Sequence, residues 1–156
     1  MIGRAVPNLL DVNVLVALFD PDHVHHEAAH DWFADHRHDG WATCPLTENA
    51  VVRVLANLKY SPVAEPPAQI VRRLRTFCAS GDHTFWPDDI SLREEHWLSA
   101  ETPVSHGQVT DIYLLALARH HAGRLATFDQ GIPIAASPGA SADDLMVIGA
   151  VNDPVS

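Results

Sequence analysis

The sequence is poor in lysine, in cysteine and in long apolar runs, and each shortage excludes a class of protein. Lys59 is the single lysine among 10 basic residues, and the formal net charge is −10. Such a chain does not bind nucleic acid through bulk positive charge, because neutralising phosphates requires Lys and Arg side chains. The charge still allows an enzyme acting on nucleic acid whose acidic residues gather around divalent cations.

The cysteine content and the apolar runs indicate a single cytosolic domain. Cys44 and Cys78 are too few and too far apart for a disulfide scaffold or a cysteine-based zinc site, so we expect core thiols. No apolar run reaches the roughly 20 residues that span a bilayer, and Asp11 and Asn13 interrupt any signal-peptide core. A length of 156 residues with 47% hydrophobic residues predicts one domain over residues 1–156.

The stretch 8–18 places an acid between two apolar runs with no room for a loop. It predicts a buried strand that ends near Leu10 and a helix that Asp11 caps at its N-terminus. An unpaired charge at the edge of a core is costly, so Asp11 needs a partner.

Three further acids repeat this arrangement. Glu48 and Asp111 each precede an apolar helical stripe, and Asp129 follows a short predicted strand. Considered singly, Asp11 is better explained as a helix cap and Asp129 as a turn residue. Four acids in matching positions favour a site.

The remaining segments alternate between strands and helices, which predicts an α/β protein with a mainly parallel sheet covered on both faces. We expect helices over 23–37, 45–58, 68–79, 90–101 and 109–118, strands over 41–44, 83–87, 124–128 and 145–151, and a proline-rich loop over 61–67. His26 and His30 have a spacing that can hold zinc. With no third ligand evident, we expect them to be structural.

The four acids are predicted to converge, because ligands of open α/β sheets bind at the carboxyl ends of the strands. Two carboxylates about 4 Å apart repel each other by about 4 kcal/mol at an effective dielectric near 20. A hard divalent cation relieves this repulsion, and an oxygen-only site suits Mg²⁺ or Mn²⁺. Such ions activate water for phosphodiester cleavage. Asn13, Thr110 and Thr127 are the candidate residues supporting the acids.

The sequence resembles the PIN-domain ribonucleases, and among them the VapC-type toxins of bacterial toxin–antitoxin pairs. The blocks that carry the resemblance are 10–15 (Leu-Asp-Val-Asn-Val-Leu), 45–49 (Pro-Leu-Thr-Glu-Asn), 109–114 (Val-Thr-Asp-Ile-Tyr-Leu) and 126–129 (Ala-Thr-Phe-Asp). The resemblance implies a three-layer α/β/α fold and Mg²⁺- or Mn²⁺-dependent cleavage of RNA in the bacterial cytoplasm. It also implies a homodimer and inhibition by an antitoxin.

The resemblance assigns the catalytic and metal-binding acids to four positions in this sequence, Asp11, Glu48, Asp111 and Asp129. Asp11 and Asp111 are the expected direct ligands. We expect the antitoxin to insert an Arg or Lys near Asp11 and Asp111, because a basic side chain complements an acidic pocket.

Two other functions stay open at this point. A haloacid-dehalogenase-type phosphatase also has an Asp after its first strand, but its second Asp corresponds here to Asn13, which cannot act as a carboxylic acid. A PIN fold that only binds partners needs no acidic quartet. Intact acids at all four positions therefore favour the nuclease.

Overall fold

The structure is a computed structural model, and it describes residues 5–149 as a five-stranded parallel sheet between layers of helices. The strands are β1 (Asn8–Leu10), β2 (Trp41–Thr43), β3 (His83–Phe85), β4 (Arg124–Thr127) and β5 (Leu145–Val147). The α-helices are α1 (Val12–Phe19), α2 (His26–His36), α3 (Pro45–Leu55), α4 (Pro67–Cys78) and α5 (His106–His120). The strand order is β3-β2-β1-β4-β5, and every neighbouring pair is parallel.

Alternating residues of the central strands supply two separate cores. Leu10 and Ala126 pack with α1, α2, α3 and α4 on one face of the sheet. Leu9 and Leu125 pack with α5 on the other face. Because successive side chains of a strand point to opposite faces, each central strand serves both cores. The predicted three-layer fold and parallel sheet are confirmed.

The segment 90–101, predicted to be helical, forms successive turns instead. Ser91 and Glu94 carbonyl groups accept turn hydrogen bonds, and the Glu95 carboxylate accepts a hydrogen bond from the backbone N–H of Ala100. Such local bonds from side chains to the backbone compete with the helical pattern. The segment also lacks a continuous apolar stripe, so little packing energy opposes the turns.

Several predicted boundaries shift by a few residues. Helix α3 ends at Leu55 rather than near residue 58, and α5 begins at His106, before the predicted start at residue 109. The earlier start of α5 follows from a capping box, in which Ser105 and Gln108 each bind the other's backbone N–H. The last part of the predicted strand over 145–151 lies outside the described residues.

The histidines at positions 26 and 30 bind the C-terminal end of α1. His26 Nδ1 lies 2.8 Å from the carbonyl oxygen of Ala17, and His30 Nε2 lies 3.1 Å from that of Leu18. These contacts satisfy carbonyl groups that the helix end leaves without partners. They agree with the structural role expected for both histidines.

None of the helices in residues 5–149 has both the length and the apolar character needed to cross a membrane.

Gly123 lies just before β4, where neighbouring residues leave no room for a side chain. A Cβ atom there would lie 2.5 Å from Trp86 Cη2 and 2.6 Å from the Pro7 carbonyl oxygen. We expect Gly123→Ala to lower the free energy of unfolding by about 2 kcal/mol, because overpacking of this kind typically costs about 1–3 kcal/mol of stability. Urea unfolding measures the effect. The control is Gly107→Ala in α5, whose nearest neighbour lies 4.0 Å away, and equal stability of the two variants would contradict the prediction.

Candidate active site

The hydroxyl group of Thr127 joins β1, α1 and β4 at the carboxyl edge of the sheet. Thr127 Oγ1 donates a hydrogen bond to Asp11 Oδ2 at 2.7 Å. The same oxygen accepts hydrogen bonds from Asn13 Nδ2 at 3.2 Å and from the Asp129 backbone N–H at 3.0 Å. Two segments distant in sequence, 11–13 and 127–129, therefore meet on one atom.

Some groups in this cluster can only donate hydrogen bonds, and these groups determine the direction of every bond in it. The backbone N–H of Phe128 donates to Asn13 Oδ1 at 3.2 Å, so the Asn13 amide nitrogen faces Thr127. That nitrogen and the Asp129 N–H are both donors, so they occupy the two lone pairs of Thr127 Oγ1. The hydroxyl proton must then point at Asp11, which favours an ionised Asp11 carboxylate.

Asp11 is only 5% exposed and caps α1 as predicted. Its other oxygen, Oδ1, accepts a hydrogen bond from the Val12 backbone N–H at 2.7 Å. Burial raises the pKa of Asp11, and the nearby Asp129 carboxylate raises it further, while the bonds from Thr127 and Val12 lower it in part. Each carboxylate oxygen is thus held by the protein, and its position is fixed.

Asp111 lies in the first half of α5, which covers the face of the sheet toward which Asp11 points. Asp11 follows Leu10 along β1 and so lies on the same side as Leu9, in the layer of α5. The pKa of Asp111 is raised to about 7 by burial first, then by the negative charges of Asp11 and Asp129 and by a hydrogen bond to Asp129. The structure thus places Asp11, Asp111 and Asp129, three of the four predicted acids, within range of one another's charges.

The carboxylate of Glu48, the fourth acid, is held in a different set of contacts. Thr43 Oγ1 donates to Glu48 Oε2 at 2.7 Å and lies 2.8 Å from His83 Nε2. Since Thr43 has one proton and gives it to Glu48, its oxygen accepts from His83, and His83 carries a proton on Nε2. Glu48, Cys78 and His83 place ligand-type atoms within 4.8 Å of one another.

Strand alternation explains why Glu48 makes separate contacts. Thr43 follows Ala42, which belongs to the core beneath α5, so its side chain points to the opposite layer, where α3 lies. Glu48 is in the first turn of α3 and meets Thr43 there. His83 and Cys78 are its neighbours, which the sequence alone did not predict. The one signal in the sequence was that His83 opens the strand predicted after α4.

The three predicted supporting residues differ in where the structure places them. Asn13 and Thr127 contact the acids directly, through the bonds described above. Thr110 is exposed and lines a neighbouring cavity of about 280 Å³ together with Leu46, Asp88, Leu92, Val109 and Tyr113. Its supporting role stays a prediction.

The three converging aspartates provide a donor set that fits a hard divalent cation. All of their side-chain ligand atoms are carboxylate oxygens, which suit Mg²⁺ or Mn²⁺ better than softer metals. Within residues 5–149, none of the side-chain ion pairs involves Asp11, Asp111 or Asp129. The crowded negative charge is therefore left for a ligand to neutralise.

Comparison with known proteins identifies the family. The family model of the PIN domain matches residues 9–137. Ribonuclease VapC39 of Mycobacterium tuberculosis is 44% identical over 131 residues, which are 84% of this chain and 94% of the relative. Ribonuclease VapC44 is 42% identical over 141 residues (90% and 98%), and Ribonuclease VapC38 is 46% identical over 124 residues (80% and 86%), both from the same organism.

This protein belongs to the PIN-domain family and, within it, to the VapC group. The four blocks that carried the resemblance in the sequence lie within the matched region.

Removing the Asp111 charge should stabilise the metal-free protein at neutral and higher pH. The folded-state pKa of about 7 lies above the ordinary value of 3.8 for an Asp side chain, so ionising Asp111 costs stability as the pH rises from about 4 to about 7. In EDTA at about pH 8 we expect Asp111→Asn to raise the free energy of unfolding by about 1 kcal/mol, after allowing for solvent screening. Urea unfolding measures this difference. At about pH 4 we expect the two proteins to be equal.

The control for this measurement is Asp31→Asn, which removes an exposed carboxylate on α2. A stabilisation of Asp111→Asn that does not depend on pH would contradict the electrostatic explanation.

Proposed function

We propose that this protein is an endoribonuclease that uses Mg²⁺ or Mn²⁺ to hydrolyse RNA phosphodiester bonds, and that it acts as the toxin of a bacterial toxin–antitoxin pair. The observation that carries the proposal is the meeting of Asp11, Asp111 and Asp129 at the carboxyl edge of the sheet. The relatives named as VapC ribonucleases support the choice of RNA as substrate.

In this proposal Asp11 and Asp111 are the direct ligands of the ion, and Asp129 completes the acidic wall. When bound, a divalent ion supplies the positive charge that lets the three carboxylates ionise together, and it lowers the pKa of a water for attack on phosphorus. Thr127 and the Val12 backbone N–H hold the Asp11 oxygens in one orientation, which reduces the reorganisation needed for binding.

The raised pKa of Asp111 gives this carboxyl group a second role in the proposal. With a pKa of about 7, this carboxyl group can carry a proton near neutral pH, beside the Asp129 carboxylate. Asp111 would lose that proton on binding a cation as a carboxylate ligand. A carboxyl group with a pKa near the working pH is also suited to exchange a proton with water or with a leaving oxygen.

Glu48 takes part in this proposal as an outer member of the site. Its carboxylate is already bound by Thr43 and lies beside His83, so it is the acid whose loss we expect to matter least. Glu48 stays a candidate ligand of the divalent ion, because the first turn of α3 follows the carboxyl end of β2, and β2 is the neighbour of β1.

The contacts of Asn13 weaken the phosphatase alternative, and the grouping of the acids weakens the binding-module alternative. A phosphatase of the haloacid-dehalogenase type needs a proton donor at this position. The Asn13 amide is bound on one side to Thr127 and on the other to the Phe128 N–H, so it is committed to holding β4. A partner-binding module without catalysis gives no reason to gather three buried or half-buried acids, since their repulsion lowers stability.

Cleavage assays with single substitutions test the nuclease. Purified protein, free of any partner, should cut RNA in the presence of Mg²⁺ or Mn²⁺ and should stop in EDTA. We expect Asp11→Asn to reduce the rate by about 100-fold or more, since even the loss of outer-shell partners costs 10–100-fold. Glu48→Gln should lose less than Asp11→Asn.

The matched control is again Asp31→Asn, which should cut at the wild-type rate. Cleavage that persists equally in Asp11→Asn and in EDTA would disprove the metal mechanism. The absence of cleavage across varied RNAs would favour the binding module, and phosphate-ester hydrolysis that depends on Asp11 would favour the phosphatase.

The proposed antitoxin inhibits by placing an Arg or Lys between Asp11 and Asp111. These carboxylates lack a cationic side-chain partner within residues 5–149, so a basic group from outside complements them. It would occupy the position of the ion and prevent its binding.

Affinity measurements with the antitoxin test this mode of inhibition. The double substitution Asp11→Asn with Asp111→Asn should weaken binding by about 10-fold or more, because truncating one side of a buried charge pair typically costs 2–5 kcal/mol. Asp31→Asn should leave the affinity unchanged. Equal affinity of the double variant and the wild type would show that the antitoxin does not use this pocket.

A homodimer is the final part of the proposal. Leu58 and Val63, in the segment that follows α3, are 72% and 84% exposed. Val63 belongs to the proline-rich loop over 61–67, and exposed apolar side chains of this kind are ones that a second copy of the chain would cover.

A further inference from the structure

One aspartate and two histidines meet where the loop after β3 reaches the C-terminal end of α5. Asp89 lies in that loop, His120 is the last residue of α5, and His121 is the residue that caps it. His121 Nε2 lies 2.9 Å from Asp89 Oδ1, and His120 Nε2 lies 3.4 Å from Asp89 Oδ2. Each histidine therefore faces a different oxygen of one carboxylate.

These distances suit a shared metal ion. A tetrahedral site with metal–ligand bonds of about 2.0–2.1 Å has ligand atoms about 3.3 Å apart. The two nitrogen–oxygen distances lie on either side of this value, and one ligand atom from each of the three residues falls within 4.8 Å of the others.

Two tryptophans hold the imidazole rings in place. The ring of His121 stacks on Trp86, with centroids 4.8 Å apart and an interplanar angle of 13°. The ring of His120 meets Trp97 edge to face, with centroids 5.6 Å apart and an angle of 85°. Rings that packing already orients lose little freedom when they bind a metal.

The local electrostatics also favour a cation. The last carbonyl groups of a helix carry partial negative charge, and His120 and His121 stand at that end of the 15-residue helix α5. Asp89 adds a full negative charge. Two imidazole nitrogens with one carboxylate select Zn²⁺ and similar transition metals over Mg²⁺, which prefers oxygen ligands.

We propose that Asp89, His120 and His121 form a binding site for Zn²⁺, with a fourth coordination position open to water. The ion ties the loop after β3 to the end of α5. Asp111 precedes His120 by nine residues, or about 13 Å along the helix, so this site is separate from the acidic one.

The other histidine-containing groups are less suitable. His26 and His30 offer two ligands, and each already directs one ring nitrogen at a carbonyl group of α1. In the group of Glu48, Cys78 and His83, the Thr43 hydroxyl already binds Glu48 and His83.

Calorimetric titration of the full chain with Zn²⁺, in excess Mg²⁺ to occupy the carboxylate site, tests the proposal. We expect one Zn²⁺ to bind, with a rise in the thermal unfolding temperature. His120→Ala removes a ligand whose side chain is 38% exposed, so the variant should fold. We expect it and Asp89→Asn to lose about 10-fold or more in affinity for Zn²⁺.

Three controls make the result specific. Asp11→Asn tests the acidic site, His30→Ala tests the pair on α2, and His38→Ala removes an exposed histidine that lies 3.9 Å from a single carboxylate of Asp82. All three should bind Zn²⁺ like the wild type. The proposal is overturned if the wild type binds no Zn²⁺, if His120→Ala binds it normally, or if Asp11→Asn or His30→Ala abolishes binding.

Discussion

The acidic edge of the sheet depends on the hydroxyl group of Thr127. It donates to Asp11 and accepts from Asn13 and from the Asp129 backbone, so its proton and both lone pairs are used. One buried atom thereby fixes the end of β4 against the start of α1 and orients the Asp11 carboxylate. In a region of low dielectric, a fully satisfied cluster of this kind is rigid and stabilising, whereas a partly satisfied one is costly.

The position of Asp111 depends on the same geometry. Asp11 and Thr127 both point to the layer of α5 because they follow Leu10 and Ala126, whose side chains point the other way. The helix needs only to pack its apolar side on the sheet for Asp111 to reach them. The resulting charge is unfavourable by itself, as the raised pKa of Asp111 indicates, and a bound cation makes it favourable.

Sequence reasoning succeeded where the local pattern and the packing agree. The Asp11 cap, the parallel strands and the three-layer order all follow from apolar periodicity and cap chemistry, and the structure has them. It failed at 90–101, where Ser91 and Glu95 bind the backbone and no apolar stripe resists them. It also could not foresee that Glu48 is bound by Thr43 beside His83, because that contact joins β2, α3 and β3 across 40 residues of sequence. The roles of the four acids stay predictions.

The shortness of the strands restricts how this protein can change in evolution. Strand β1 has three residues and β4 has four, so each offers one or two side chains to each face. An insertion or deletion of one residue in either strand would turn Asp11 or Thr127 toward the opposite layer, since a one-residue slip reverses every side chain of a strand. A change of length in β1 or β4 would therefore break the contacts of Thr127 at once, whereas a change of length in a surface loop would leave both strands in register.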